Sequence, residues 1–165
     1  MTVRPIIRFP DARLRAVAEP VTSFDAHLLA LAADLLDTMR AAPGIGITAP
    51  HIGVGKRLVV IEIPGSNGVR SYVNPKIIWA SPDMIWHQEG SVSMPGVKED
   101  IERHASVEVG YRDLSGAERI EAADGLLAVC LQHEIDQLDG IFWIQRLSRL
   151  KRDRLIKRYE KLGVS

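Results

Sequence analysis

The residue types best suited to chemistry cluster in one short stretch, Gln132-His133-Glu134-Ile135-Asp136-Gln137. It follows Leu126-Leu127-Ala128-Val129-Cys130-Leu131, which is apolar around the whole circumference of a helix and predicts a helix inside the core. An imidazole and a carboxylate carried into a core need partners, because an isolated ionised group there is heavily penalised. His133 and Gln137 stand four apart and project from one helix face. A zinc hydrolase helix of the H-E-x-x-H type has histidine at both positions and uses the glutamate as general base. Here the second histidine is missing, and taken alone His133-Glu134 reads as a satisfied core pair.

Two further segments change that reading. Gly44-Ile45-Gly46-Ile47-Thr48-Ala49-Pro50-His51 and Glu89-Gly90-Ser91-Val92-Ser93 precede the histidine helix at wide spacing. Together the three resemble the ordered signature motifs of the peptide deformylase family, which read GxGxAAxQ, EGCxS and QHExDH. The likeness extends to Tyr72-Val73-Asn74-Pro75, Met94-Pro95-Gly96-Val97, Ala123-Asp124-Gly125-Leu126-Leu127 and Arg146-Leu147-Ser148, and so covers nearly the whole chain. The resemblance implies an α+β fold with antiparallel sheets around a central buried helix, plus a C-terminal helix. It also implies hydrolysis of the N-formyl group from the starting methionine of nascent peptides. In that family a divalent iron or zinc ion is held by the cysteine of the second motif and both histidines of the third. The third-motif glutamate moves the proton. The first-motif glutamine and a backbone N–H just after the cysteine stabilise the oxyanion.

Carried over by position, the cysteine becomes Ser91, the first histidine is His133, the second becomes Gln137, the glutamate is Glu134 and the glutamine becomes His51. The backbone donor falls at Val92. A serine hydroxyl is a neutral, weak ligand where the family uses a thiolate, and a glutamine offers only an amide oxygen. Structural zinc is bound by about 10–16 kcal/mol over four ligands, so losing two should weaken binding by several orders of magnitude. The expectation is no cofactor at high affinity and, if any metal binds, zinc or iron. Without it a water keeps its bulk pKa of about 15.7 rather than about 7, and deformylase activity should be weak or nil. Three arrangements remain open. His51 could pair as a cation with Glu134 in an empty site. His51, His133 and Glu134 could form a rebuilt metal site for an active amidohydrolase. Ordinary metal binding could persist in impaired form.

The family's pocket for the methionine side chain is matched by Ile45, Leu126, Val129 and Cys130, with Gly44 and Gly46 permitting close backbone approach. His87 stands where family members usually carry an aliphatic pocket residue and makes the pocket more polar. It reads equally as a surface strand residue. Cys130 reads as a small core residue rather than a nucleophile. Nothing in the sequence gives His27 or His104 a role.

The elements that carry these residues are legible in outline. The chain has 165 residues, 46% of them hydrophobic and 25% charged, with 21 basic and 21 acidic side chains. That balance excludes disorder and any global field toward nucleic acid or membrane. One domain over 1–165 is expected, burying about two thirds of its unfolded surface. The one cysteine excludes an internal disulfide and a multi-cysteine zinc site. No apolar run approaches the roughly 18 residues of a membrane span, and the N-terminus lacks a signal peptide's apolar core, so a cytoplasmic location is expected. Leu28, Leu31, Leu35 and Met39 predict a helix over about 25–41 with Ser23 as N-cap. Residues 57–63 predict a buried strand, and Val107, Val109 and Tyr111 lead through Asp113-Leu114-Ser115-Gly116 into a hairpin. A helix from Asp124 to Leu138 should end at Gly140. The last helix, about 147–162, should dock Leu147, Leu150, Leu155, Tyr159 and Leu162. Residues 146–161 hold eight basic and two acidic side chains, a charge of +6 that implies −6 elsewhere. Beyond a solvated face, this suits an anionic surface such as ribosomal RNA. The expected partners are N-formylmethionyl peptides and the ribosome, without membrane or sequence-specific nucleic-acid binding.

Overall fold

Leu58-Val59-Val60-Ile61 is apolar at every position because both faces of this strand are covered. Successive side chains of a strand point to opposite faces. Leu58 and Val60 therefore join one core cluster with Leu35 and Met39, while Val59 and Ile61 join another with Leu131 and Leu138.

The computed structural model describes residues 2–163. Along the chain run α1 (Ala26–Ala41), β1 (Gly46–Thr48), β2 (Leu58–Ile61), β3 (Arg70–Ala80), β4 (Met84–Ser91), β5 (Met94–His104), β6 (Ser106–Arg112), β7 (Glu118–Asp124), α2 (Gly125–Leu138) and α3 (Arg149–Lys161). Short 3-10 turns at Ala12–Arg15, Ala49–Ile52 and Trp143–Arg146 complete the list. The pairing is antiparallel throughout, in one five-stranded sheet of order β1-β2-β3-β6-β7 and one two-stranded sheet, β4-β5. The fold is α+β, with α2 packed against the larger sheet and α1 on its opposite face.

Several local expectations shift. Asp25, not Ser23, caps α1: its Oδ1 accepts from His27 N–H and Leu28 N–H at 3.1 and 3.2 Å. The expected strand over 57–63 shortens to β2, although the Arg57 carbonyl still accepts from Asn74 N–H at 2.9 Å and Glu62 N–H donates to the Ile45 carbonyl at 2.8 Å before the chain turns at Pro64-Gly65. The hairpin at Asp113 forms as β6 and β7, with Val107 opposite Ala123. Asp124 precedes α2, but its side chain makes no capping bond. On α3 the docked stripe is narrower than expected. Leu155 and Tyr159 are buried with Leu147 just before them, whereas Leu150 and Leu162 stay 60% and 52% exposed. The reason is that α3 packs mainly on β5, a narrow two-stranded platform that covers only one line of side chains.

In the pairing of β4 with β5 the register shifts between Glu89 and Ser91. Such a bulge re-aims the side chains around it. A Cβ on the intervening Gly90 would lie 3.2 Å from the Val97 carbonyl, so the bulge is tightest at that residue.

Candidate functional site

Helix α2 carries His133 and Glu134 to the floor of a pocket of about 650 Å³ between β4 and the glycine-rich segment before β1. Twelve of the thirteen residues singled out from the sequence line it: Gly44, Ile45, Gly46, His51, His87, Ser91, Val92, Leu126, Val129, Cys130, His133 and Glu134. Gln137 does not. Its Nε2 donates to the Leu14 carbonyl at 2.6 Å, tying α2 to the turn at Ala12–Arg15.

His133 is oriented from behind. Its Nδ1 donates to Glu89 Oε1 at 2.8 Å, which leaves Nε2 at 3.6 Å from Glu134 Oε1. Glu89 is gripped in turn by Arg103, whose Nε and Nη2 donate to its two oxygens at 2.7 and 2.8 Å. Arg103 Nη1 also donates to Asp136 Oδ2 at 2.7 Å, and Arg146 closes the chain on Asp136 at 2.8 and 2.9 Å. The Arg103 and His133 hydrogen bonds outweigh burial and hold the Glu89 carboxyl down at about 2. Burial opposes charging of His133, but the carboxylates of Glu134 and Glu89 raise its pKa.

Arg103 is the residue behind the site that motif reading misses. The signal was there in the strand period: Ile101 and Arg103 share the inward face of β5, and a charge on a buried face demands a partner.

His51 sits in the 3-10 turn Ala49–Ile52, buried, with Thr48 N–H donating to its Nδ1 at 2.9 Å. A neutral imidazole has one lone pair, and Thr48 takes it, so the ring proton lies on Nε2. Burial, then the charge of His133, pushes the His51 pKa down to about 3. His51 is therefore neutral and is not the expected cation beside Glu134. That place belongs to His133. Nε2 of His51 and Oε2 of Glu134 are both buried without a hydrogen-bond partner among the described residues. Burial pushes the Glu134 carboxyl up to about 7, against the attraction of His133.

Gly46 makes room for that carboxylate. A Cβ there would stand 3.2 Å from Glu134 Oε2 and 3.3 Å from its Cδ. Gly44 does the same for Val92, whose Cγ1 would lie 2.7 Å from an added Cβ. The Cys130 thiol is buried and its pKa is pushed up to about 12, mainly by desolvation, so it stays protonated. His87 Nδ1 is engaged with the Gln88 carbonyl at 2.8 Å at the half-exposed edge of the pocket.

A divalent metal of the expected kind does not fit these donors. Of the expected ligand positions, Ser91 offers a neutral hydroxyl that accepts from Ser93 N–H at 3.1 Å, and Gln137 offers only a neutral amide oxygen on a side chain that its Nε2 anchors to the Leu14 carbonyl. The rebuilt set of His51, His133 and Glu134 fails as well, because His51 Nε2 bears a proton and has no lone pair to give. Among the described residues no three His, Cys, Asp or Glu side chains converge to hold a metal.

Comparison with known proteins agrees with the architecture. The family model described as "Polypeptide deformylase" matches residues 3–153. A "Peptide deformylase-like" protein of Brucella melitensis biotype 1 is 68% identical over 98% of this chain and 99% of its own. Two proteins of Rhizobium meliloti strain 1021 are among the relatives. One, called "Peptide deformylase-like", is 62% identical over 99% of this chain and 95% of its own. The other, called "Peptide deformylase", is 43% identical over 98% and 94%. The crystal structure of an Ehrlichia chaffeensis peptide deformylase in complex with actinonin superposes with a TM-score of 0.94 at 37% identity, covering all of both chains. The chain, from its ordered motifs to its sheet order, belongs to the peptide deformylase family.

Proposed function

We propose that this chain binds the blocked N-terminus of a peptide in a deformylase-type pocket, with deformylase activity that is weak or nil. One observation carries the reading: the Gln137 Nε2 donates to the Leu14 carbonyl at 2.6 Å, anchoring a side chain that does not line the pocket. His133 is then the one family ligand left facing it. The two unpartnered atoms support what the pocket does instead. A secondary amide presents a carbonyl acceptor and an N–H donor. His51 Nε2–H meets the first and Glu134 Oε2 the second, while the Val92 backbone N–H offers a further donor to the carbonyl. Leu126, Val129 and Ile45 supply an apolar wall for the side chain that follows. His133, held by Glu89, stabilises the Glu134 carboxylate. With no Lewis acid to acidify it, a water is a poor nucleophile at neutral pH.

The test is elemental analysis of protein purified anaerobically from iron- and zinc-replete cells, together with formate release and calorimetric binding of an N-formylmethionyl peptide. The expected outcome is metal well below one per chain, saturable binding and no formate above background. Unit occupancy by zinc or iron with steady turnover overturns the reading in favour of an active deformylase or amidohydrolase.

The basic α3 is read as a docking surface for ribosomal RNA. Of its cationic group, Arg146 is bound to Asp136 and Arg158 lies 3.6 Å from Glu99, leaving Arg149, Lys151, Arg152, Arg154, Lys157 and Lys161 without a carboxylate among the described residues. Salt-sensitive co-sedimentation with ribosomes, lost on truncation after Leu147, is the expected result. Equal binding by the truncated chain removes this part. No described helix is long and apolar enough to cross a membrane.

A further inference from the structure

The mouth of the pocket has a charge that its floor does not account for. Arg8 and Lys98 both line the pocket and both are exposed, which puts them at its opening. Neither has a carboxylate partner among the described residues. Asp11, the nearest acid in sequence to Arg8, is bound to Arg13 at 2.8 and 3.1 Å. Glu99, beside Lys98, faces Arg158 instead. The two carboxylates that line the pocket do not neutralise the rim either. Glu89 is saturated by Arg103 and His133, and Glu134 is buried at the floor. The cavity thus grades from a neutral donor and an acceptor inside, through apolar walls, to two free cations outside.

We infer that the preferred ligands are short N-acylated peptides or N-acyl amino acids that end in a free α-carboxylate, which Arg8 and Lys98 hold at the mouth. The inference rests on the reading that the pocket binds blocked peptide termini and specifies their length. A cavity of this size falls in the range of about 300–1,000 Å³ that encloses small-molecule ligands, so it has room for a peptide of very few residues. A growing chain keeps its C-terminal end far away and gains nothing from the two cations. A released di- or tripeptide presents its carboxylate where they stand.

The test compares N-formylmethionyl-leucine with its C-terminal amide by isothermal titration calorimetry, in wild type and in the Arg8→Gln/Lys98→Gln double variant. Exposed ion pairs are individually weak, so the acid should bind roughly three- to tenfold tighter than the amide. The gap should shrink between about 20 mM and about 300 mM salt, because exposed charges are screened. The double variant should treat the two ligands alike, and circular dichroism of this surface variant checks its fold. Equal wild-type affinity for acid and amide sinks the inference while leaving peptide binding intact. A gap that persists in the folded double variant also sinks it. Failure of both ligands to bind wild type removes the peptide-binding reading itself.

Discussion

Behind His133, Glu89 accepts two hydrogen bonds from Arg103 and one from the imidazole, and Asp136 is bound by two guanidinium groups. In front of it, His51 Nε2 and Glu134 Oε2 have no hydrogen-bond partner among the described residues. Both regions are buried and both are built on α2. A scaffold that leaves a buried donor or acceptor unpaired loses stability, so such groups are normally paired. On the proposed function the paired side is support, and the two orphaned atoms in the pocket await a ligand's acceptor and donor. Ser93 Oγ, Trp143 Nε1 and Tyr159 Oη are also buried without a partner among the described residues, but none of those residues lines the pocket, so it is the pairing of His51 and Glu134 in one cavity that sets them apart.

The comparison can be broken most sharply at Arg103. Arg103→Met should leave two buried carboxylates short of their clamp and cost about 3–5 kcal/mol in urea unfolding. A loss under about 1 kcal/mol would mean the network is not support. Acid should act on the same region. The Glu89 pKa is held at about 2 against an ordinary 4.5, so its stabilisation is complete above 4.5 and is lost as pH falls from 4.5 toward 2. Wild type should forfeit about 3 kcal/mol across that window, and a stability profile no steeper than that of Glu89→Gln would contradict the assignment.

The pocket side has the opposite sign. The Glu134 pKa is raised to about 7, so its ionised form is penalised once the pH exceeds the unfolded value of 4.5, and the penalty is full above about 7. Glu134→Gln should therefore be more stable than wild type by about 1–3 kcal/mol at pH 8, with the advantage gone at pH 4.5, while peptide binding falls. Greater instability at pH 8 would place Glu134 among the supports. The smallest effect is expected at Gln137. Gln137→Leu strands the Leu14 carbonyl and should cost about 1–2 kcal/mol without altering peptide affinity. A clear drop in affinity would return Gln137 to the site.

How far these regions could be read from sequence follows the distance over which each contact acts. The apolar spacing of Leu28, Leu35 and Met39 and the uniform apolarity of Leu126–Leu131 are local, and α1 and α2 lie where they predict. The motif residues of the pocket were also legible, because three short ordered patterns name them. The network behind them was not, since Arg103 meets partners 14 and 33 residues away. The contact of Gln137 was hidden for the same reason: the carbonyl that its Nε2 meets is 123 residues distant. His51 failed differently. Its hydrogen-bond partner is three residues away, but its charge is set by burial and by the charge of His133, 82 residues on, which no local pattern records. Leu150 and Leu162 show the limit of the helical wheel, which gives the width of an apolar stripe but not of the surface it meets.

Gly46 offers a last measure of whether the cavity is still in use. Alanine at a position that accepts it would usually add about 0.4–1 kcal/mol by restricting the unfolded chain. Here a methyl group would press on the Glu134 carboxylate. A relic with no visitor would gain by swapping both residues for a filled, greasy interior. Ser91 and Gln137 stand where the family motifs have cysteine and histidine, yet Gly46 still leaves bare backbone beside the Glu134 carboxylate, and the space costs this chain stability.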